Sequence, residues 1–330
     1  MPDQFDRLAD QQAAAQGQLS SRTIAQLARL WAAVDSHGDP EQLATFTARA
    51  GTVLRTAELA TGRLTEAYLR QVLRQLGITV PANRLVELPD SLRAGVPLEE
   101  VLLRPAETVR YLQSVDAPSD AATAAGLARL NAIAVTNLQL ALRQATVDVL
   151  SRAPGVTGYR RILRPYLSKG GSCGLCIAAA DRVYGKRDLM PIHARCKCAV
   201  LPVTRTGDPG LRINSDDLEQ MYDAAGGTEG DRLKATRYRV EEHGELGPVL
   251  VLQGQRFRDA GDAAADLGRQ RRRRGRTEPL DQVVSYRQQL ATYEQSIPDL
   301  ERRAAAGENV TAALTWQRAR VAELRRLLAA

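Results

Sequence analysis

The sequence is poor in aromatic residues and has no long apolar run. Only 4% of its 330 residues are aromatic, whereas Ala, Leu and Arg are abundant. This composition favours helices over aromatic-rich β-sandwiches or barrels. No segment approaches the roughly 20 consecutive apolar residues that a membrane-spanning helix needs, so we expect no membrane contact. The polar, acidic start at residues 1–6 also lacks the basic region and apolar run of a secretory signal.

Cysteine is scarce as well, and all four cysteines lie in one short segment. They form the pattern Cys173-x2-Cys176 followed by His193-x2-Cys196-x-Cys198. A disulfide framework would spread cysteines along the chain, so the cluster indicates a metal or redox site in a reducing compartment. Two donor pairs separated by a loop can surround one tetrahedral ion, and thiolates favour zinc over magnesium or calcium. The pattern therefore predicts a structural zinc ion, with five candidate ligands for four positions. One set is Cys173, Cys176, His193 and Cys196. Cys198 could replace either His193 or Cys196.

Three alternatives to zinc exist for these cysteines: metal-free packing, a redox pair and catalysis. Reduced, metal-free cysteines could simply pack in a small hairpin, and a redox pair would want a surrounding βαβ pattern that is not evident. Catalysis would need a nearby carboxylate, for which only Asp181 and Asp188 are available, or a nucleophile such as Cys176 or Cys196 paired with His193. A shared metal explains all four cysteines together, so we expect no catalytic residue.

Hydrophobic periodicity divides the chain into a helical part and an irregular part. Apolar residues repeat at spacings of three and four up to about residue 152, and the character changes at Gly155 to short β-type runs with Gly and Pro. We expect a mainly α protein with four parts. These are an elongated helical bundle (residues 1–154), a small α+β Cys/His module resembling a zinc knuckle (155–252), a basic flexible linker (253–277), and a C-terminal helical hairpin or coiled coil (278–330).

Basic residues are concentrated in two places, although the formal net charge is only +7. One group surrounds the cysteines and the other is an arginine run in the expected linker. Both are candidates for nonspecific contact with DNA phosphates or with an acidic partner; a solvated surface and charge compensation around thiolates are the alternatives. The candidate contact residues are Arg160, Arg161, Arg164, Lys186, Arg187, Arg195, Lys197, Arg269, Arg271, Arg272, Arg273, Arg274 and Arg276.

The cysteine segment also carries a family resemblance. The sequence Gly171-Ser172-Cys173-x-x-Cys176, with Val183-Tyr184 and Pro191-Ile192-His193-x-x-Cys196-x-Cys198, resembles the core of MuF-like head morphogenesis proteins, which are minor capsid proteins of tailed bacteriophages. Residues 242–249 are similar to the version found in phages of actinobacteria. The resemblance extends over about residues 5–250 and includes the helical layout of the first half.

This resemblance implies a structural role in phage head assembly. Family members are encoded beside the portal protein and enter the procapsid in few copies, where they contact the portal, the scaffold or the major capsid protein. It also implies assembly in the host cytoplasm and a final place in the virion, at the capsid interior or portal vertex, near packaged DNA. Two alternatives are a capsid maturation protease and a zinc-containing DNA-binding protein. The sequence has no His-Glu-x-x-His motif and only three histidines, which argues against common protease sites.

Overall fold

The protein is mainly helical, with a small antiparallel sheet, a β-hairpin and a Cys/His cluster, which confirms the expected fold class. The computed structural model describes residues 4–81, 85–164, 174–193, 196–215, 238–252, 254–275, 290–291, 293–298, 300–302, 304–305 and 311–329. The chain forms two compact units, residues 1–264 and 265–330.

The elements follow in chain order. The helices are α1 (Gln4–Ala32), α2 (Pro40–Gln75), α3 (Leu98–Gln113), α4 (Ser119–Ser151), α5 (Gly174–Ala180), α6 (Pro209–Ile213), α7 (Ala260–Gly275) and α8 (Thr311–Ala329). The strands are β1 (Val156–Ile162), β2 (Val183–Gly185), β3 (Ala199–Thr204), β4 (Tyr238–His243) and β5 (Gly247–Leu252).

Helix α2 shows how local sequence sets the helical boundaries. The Asp39 side chain accepts hydrogen bonds from the backbone N–H groups of Glu41 and Gln42, and Pro40 occupies the first turn. At the other end, Gly77 has a φ of +72°. The N–H groups of Gly77 and Ile78 bond back to the last turn of the helix, which is a Schellman termination.

Three strands form the antiparallel sheet in the order β2-β1-β3, and β4 pairs with β5 as a separate hairpin. An isolated parallel bridge between Ile192 and Val249 joins the cysteine segment to this hairpin. The runs that read as β in the sequence correspond to β2, β3, β4 and β5, whereas β1 was not expected. Gly158 in β1 is required by packing, since a Cβ there would lie 2.5 Å from the carbonyl oxygen of Tyr184.

Two hydrophobic clusters fill the first unit. One is built from α1–α4 alone and includes Leu27, Trp31, Leu54, Val101 and Leu130. The other joins one end of the helices to both sheets and to the buried cysteines. The boundary expected between residues 154 and 155 therefore lies inside a compact unit. The physical reason is that strands of three to seven residues cannot bury enough apolar surface by themselves.

Within the region expected to be a basic flexible linker, 253–277, the structure places helix α7, Ala260–Gly275. Asp259 caps this helix by accepting bonds from the N–H groups of Gly261 and Asp262, and its Ala and Arg residues are strong helix formers.

The second unit is described over helical residues between 290 and 305 and over α8. The helical hairpin or coiled coil expected over 278–330 stays a prediction. The helical residues between 290 and 305 pack against α8, with Leu300, Val321 and Leu324 buried. Ser296 donates a 2.6 Å hydrogen bond to Gln317 across this pairing. Residues 278–289 lie outside the described part. No helix among the described residues is long and apolar enough to span a membrane.

Candidate metal centre

Three separate segments bring the cysteines and the histidine together. Cys176 lies in the first turn of α5. His193 follows the bridge at Ile192, and Cys196 and Cys198 immediately precede β3. The N–H of Cys196 donates to the carbonyl oxygen of His193 at 3.2 Å, which holds these two residues close together. The cluster therefore forms where the irregular segment enters the sheet.

The donor atoms are close enough to share one ion. Cys176 Sγ lies 2.9 Å from His193 Nε2 and 3.9 Å from Cys196 Sγ. The donor atoms of these three residues all fall within 4.8 Å of one another, and Cys198 donates to Cys176 across 3.2 Å. Tetrahedral coordination with Zn–S bonds of about 2.3 Å separates neighbouring sulfurs by roughly 3.8 Å. Cys176, His193 and Cys196 could thus hold a metal ion, with Cys198 beside them.

The chemistry of this donor set fits a soft or borderline metal. The three cysteines are buried and unpaired by disulfides, whereas His193 is half-buried. Within the described residues, no carboxylate belongs to the group. Cys173, the fifth ligand candidate, lies outside the described residues.

A buried arginine contacts the sulfur cluster. Arg161 is fully buried in β1, and its Nη1 lies 3.4 Å from Cys176 Sγ and 3.3 Å from Cys196 Sγ. Its Nη2 donates to the carbonyl oxygen of Pro191. Burial alone would lower the pKa of Arg161, but the charges of the neighbouring thiols outweigh burial and hold it well above the usual range.

The thiols influence each other in opposite directions. Hydrogen bonds from Cys176 and Cys198, together with the charge of Arg161, hold the pKa of Cys196 well below its usual range. The hydrogen bond with Cys176 favours the Cys198 thiolate, but its bond with Cys196 and its burial prevail and raise the pKa of Cys198 to about 12. Thiolate charge within the cluster is therefore stabilised by the neighbouring thiols and by Arg161.

Polar side chains of the helices clamp the cysteine segment and the hairpin. Gln139 of α4 donates a 3.1 Å hydrogen bond to the carbonyl oxygen of Cys198. Arg143, one turn along α4, donates to the carbonyl oxygens of Leu246 and Pro248. Burial lowers the pKa of Arg143 to about 10. The Cys/His cluster is consequently fixed to the helical bundle as well as to the sheet.

Three of the expected DNA-contact residues are wrong, because their side chains are buried. Arg160 pairs with Asp208 at 2.6 Å and donates to the carbonyl oxygens of Ala180 and Asp181. Arg161 lies at the sulfur cluster, and Arg164 is 6% exposed and donates to the carbonyl oxygen of Leu163. None of the three presents a charge to a phosphate backbone.

The other candidate contact residues differ in exposure and in whether their side chains belong to the described part of the chain. Arg187 and Lys197 are exposed, and half-buried Lys186 lies 3.4 Å from the carbonyl oxygen of Ala153. Arg269 is exposed and pairs with Asp266. Arg271, Arg272, Arg273 and Arg274 belong to α7, but their side chains, and Arg195 and Arg276 entirely, lie outside the described part.

A cleft of about 630 Å³ lies between α1 and α4, beside the cysteine segment. Cys196, Lys197 and Cys198 line one end of it. Gln12 lines the cleft from α1, and its Nε2 has no hydrogen-bond partner among the described residues. The sequence offered no signal for this cleft, since its walls come from segments far apart in the chain.

The histidine nearest the hairpin turn has a structural role. His243 Nδ1 accepts hydrogen bonds from the N–H groups of Glu245 and Leu246, both at 3.2 Å, and its ring packs against Phe257. An Nδ1 engaged by two backbone donors is not available as a general base.

Comparisons with models of known protein families, with curated proteins and with solved structures found no match for this chain.

Proposed function

We propose that this chain is a MuF-like minor capsid protein, with a structural role in phage head assembly and a structural zinc ion. The observation that carries the metal proposal is the convergence of Cys176, His193, Cys196 and Cys198 at the junction of sheet, hairpin and helices. The phage assignment rests on the resemblance of this same Cys/His pattern to MuF-like proteins.

Zinc suits the site better than the other metals considered. Three sulfurs and one imidazole are the donor types of Cys3His structural zinc sites, whereas magnesium and calcium prefer oxygen donors. A site with four protein ligands leaves no open position for water or substrate. The zinc would therefore stabilise the fold instead of performing catalysis.

The acids near the cluster support a structural role. Asp181 is exposed, and Asp188 is engaged in its own turn, where Oδ2 accepts a 3.0 Å hydrogen bond from the N–H of Gly185. Cys176 and His193 are in contact, but among the described residues no carboxylate belongs to the cluster to orient such a pair for proteolysis.

The role of the metal would be to fasten a segment with little regular structure. Among the described residues between α5 and β3, the three-residue strand β2 is the only regular element. Small domains of this kind commonly rely on a metal because their hydrophobic burial alone is insufficient. The exposed helical surfaces would then be available to dock on the portal or scaffold, and the exposed arginines to touch packaged DNA.

Metal analysis of the full-length protein tests the zinc proposal. Protein purified under reducing conditions should carry one zinc ion per chain. Cys176→Ser, Cys196→Ser and Cys198→Ser should each lose it and melt at lower temperature. Cys173→Ser tests the fifth candidate: it should keep the metal if Cys198 is the fourth ligand and lose it if Cys173 is. Metal-free wild-type protein would overturn the proposal, and a Cys173→Ser variant without zinc would overturn this ligand set.

Quantitative mass spectrometry of virions and procapsids of the encoding phage tests the capsid role. We expect full-length chains at a few copies per particle. Absence from both particles would overturn this role and favour a DNA-binding protein. Presence in procapsids alone, together with trimmed capsid subunits, would instead favour the protease alternative.

A further inference from the structure

Arg161 is buried in an unusual set of partners. Its side chain is 0% exposed, and among the described residues it bonds to two cysteine sulfurs and one backbone carbonyl. A buried guanidinium is costly unless charged or strongly polar groups compensate it. The compensating groups at this position are the ligand sulfurs of the proposed zinc site.

Charge counting gives Arg161 a defined place in that site. Three thiolates and a neutral imidazole around a divalent ion leave a net charge of −1, which is unfavourable in a buried position. The guanidinium contributes +1 at hydrogen-bond distance from two of the three sulfurs. The combined unit is therefore neutral.

The backbone holds this arginine firmly in position. Asn214, which is fully buried, donates a 2.7 Å hydrogen bond from Nδ2 to the carbonyl oxygen of Arg161. Asn214 Oδ1 accepts from the N–H of Leu163 at 3.1 Å. Two bonds to the same stretch of β1 fix the point from which the guanidinium reaches the sulfurs.

We propose that Arg161 is a positioning residue of the metal centre. Its N–H groups hold the sulfurs of Cys176 and Cys196 in place and neutralise the centre. They also withdraw electron density from these sulfurs, which protects them from electrophiles. This inference rests on the proposed zinc site and adds a residue that the ligand pattern does not contain.

The neighbouring Arg160 provides a matched control. It lies on the same strand and is 5% exposed, and it pairs with Asp208 without touching sulfur. A loss of stability common to Arg160→Met and Arg161→Met would reflect the removal of a buried arginine. An effect on the metal found only in Arg161→Met would reflect its contact with the ligands.

The experiment compares wild type, Arg161→Met, Arg161→Lys and Arg160→Met as full-length proteins. Zinc affinity is measured by chelator competition, cysteine reactivity by alkylation rate, and sulfur electron donation by the thiolate-to-metal charge-transfer band of the cobalt-substituted protein. We expect Arg161→Met to bind zinc about 10- to 100-fold more weakly. Its cysteines should be alkylated faster, and its cobalt band should move to lower energy.

The outcomes separate this proposal from the zinc proposal. If Arg161→Met keeps the zinc affinity, alkylation rate and cobalt band of the wild type, the proposed role of Arg161 is overturned. The zinc proposal would be unaffected. Equal changes in Arg160→Met and Arg161→Met would also overturn it. If Arg161→Met does not fold, Arg161→Lys is the test variant. A single ammonium group cannot replace the guanidinium bonds to both sulfurs and to Pro191, so its cobalt band should still shift. Wild-type protein that binds neither zinc nor cobalt would overturn both proposals.

Discussion

The hydroxyl group of Tyr68 donates a 2.9 Å hydrogen bond to the carbonyl oxygen of Val200. Both residues are buried, one in α2 and the other in β3 just after the cysteine segment. This bond and the one from Gln139 to Cys198 tie the sheet to two different helices. The helices and the Cys/His cluster therefore share one buried interface.

Removing this bond should weaken the whole first unit. We expect Tyr68→Phe to lower the free energy of unfolding by about 1 kcal/mol, because a buried hydrogen bond is lost while the ring stays packed. Urea denaturation of the full chain, followed by circular dichroism, measures the change. Unfolding of the sheet at lower urea concentration than the helices would contradict the shared interface.

Local signals in the sequence were sufficient for the helices and most strands. The cap at Asp39 and Pro40 and the termination at Gly77 are decided by neighbouring residues, so α2 could be predicted almost to its ends. The Cys/His spacing likewise predicted the cluster. Strand β1 was missed because Gly158, Arg160 and Arg161 resemble a basic loop when tertiary contacts are unknown.

The sign of a charge could be read from the sequence, but its burial could not. Arg160 and Arg161 look like neighbours in a basic surface patch, yet one pairs with Asp208 and the other with cysteine sulfurs. These partners are 15 to 48 residues away along the chain. Adjacent residues of a strand point to opposite faces of the sheet, so both arginines are buried because both faces of β1 are covered.

A close helix crossing gives a second prediction. A Cβ at Gly126 in α4 would lie 2.6 Å from Trp31 Cζ2, 2.6 Å from Val109 Cγ2 and 3.0 Å from the carbonyl oxygen of Pro105. Gly126→Ala should therefore destabilise the protein by about 1–3 kcal/mol through overpacking, despite the better helix propensity of alanine. Thermal or urea unfolding measures this loss.

The control for that change is Gly17 in α1, where an added Cβ would meet nothing within 4 Å. Gly17→Ala should leave stability unchanged or raise it by up to about 1 kcal/mol, since only helix propensity changes. Equal stability of the two variants would contradict the tight crossing of α1, α3 and α4.

The hairpin turn is anchored by an ion pair that should respond to acid. Glu245 bonds to Arg104 at 2.6 and 2.8 Å and to Arg93 at 3.4 Å. The hydrogen bonds from Arg104 hold the pKa of Glu245 below its usual value. A carboxyl group with a lowered pKa in the folded state stabilises the fold above its unfolded pKa, and this contribution is lost as the pH falls through the folded pKa.

Glu245→Gln should therefore cost about 1–2 kcal/mol at pH 7, a value reduced by the partial exposure of the pair. The difference from wild type should shrink as the pH falls below about 4.5, the ordinary pKa of a glutamate. Denaturation at several pH values measures it. Glu100→Gln is the control: Glu100 is 62% exposed and 3.5 Å from Arg104, so we expect less than about 0.5 kcal/mol. A difference between wild type and Glu245→Gln that does not vary with pH would contradict this assignment.

Contact with DNA should depend on exposed cations and not on the buried arginines of β1. If Arg187 and Lys197 each neutralise a phosphate, replacing both by Gln should reduce the slope of log affinity against log salt by about two, at roughly 0.9 for each contact. Fluorescence anisotropy with a duplex of arbitrary sequence measures that slope between low and physiological salt. Arg160→Met should leave it unchanged, because that side chain is paired with Asp208 inside the protein. A salt slope that falls in Arg160→Met but not in the double variant would show that the DNA-binding surface lies elsewhere. Binding that survives high salt would favour sequence-specific recognition over the structural role.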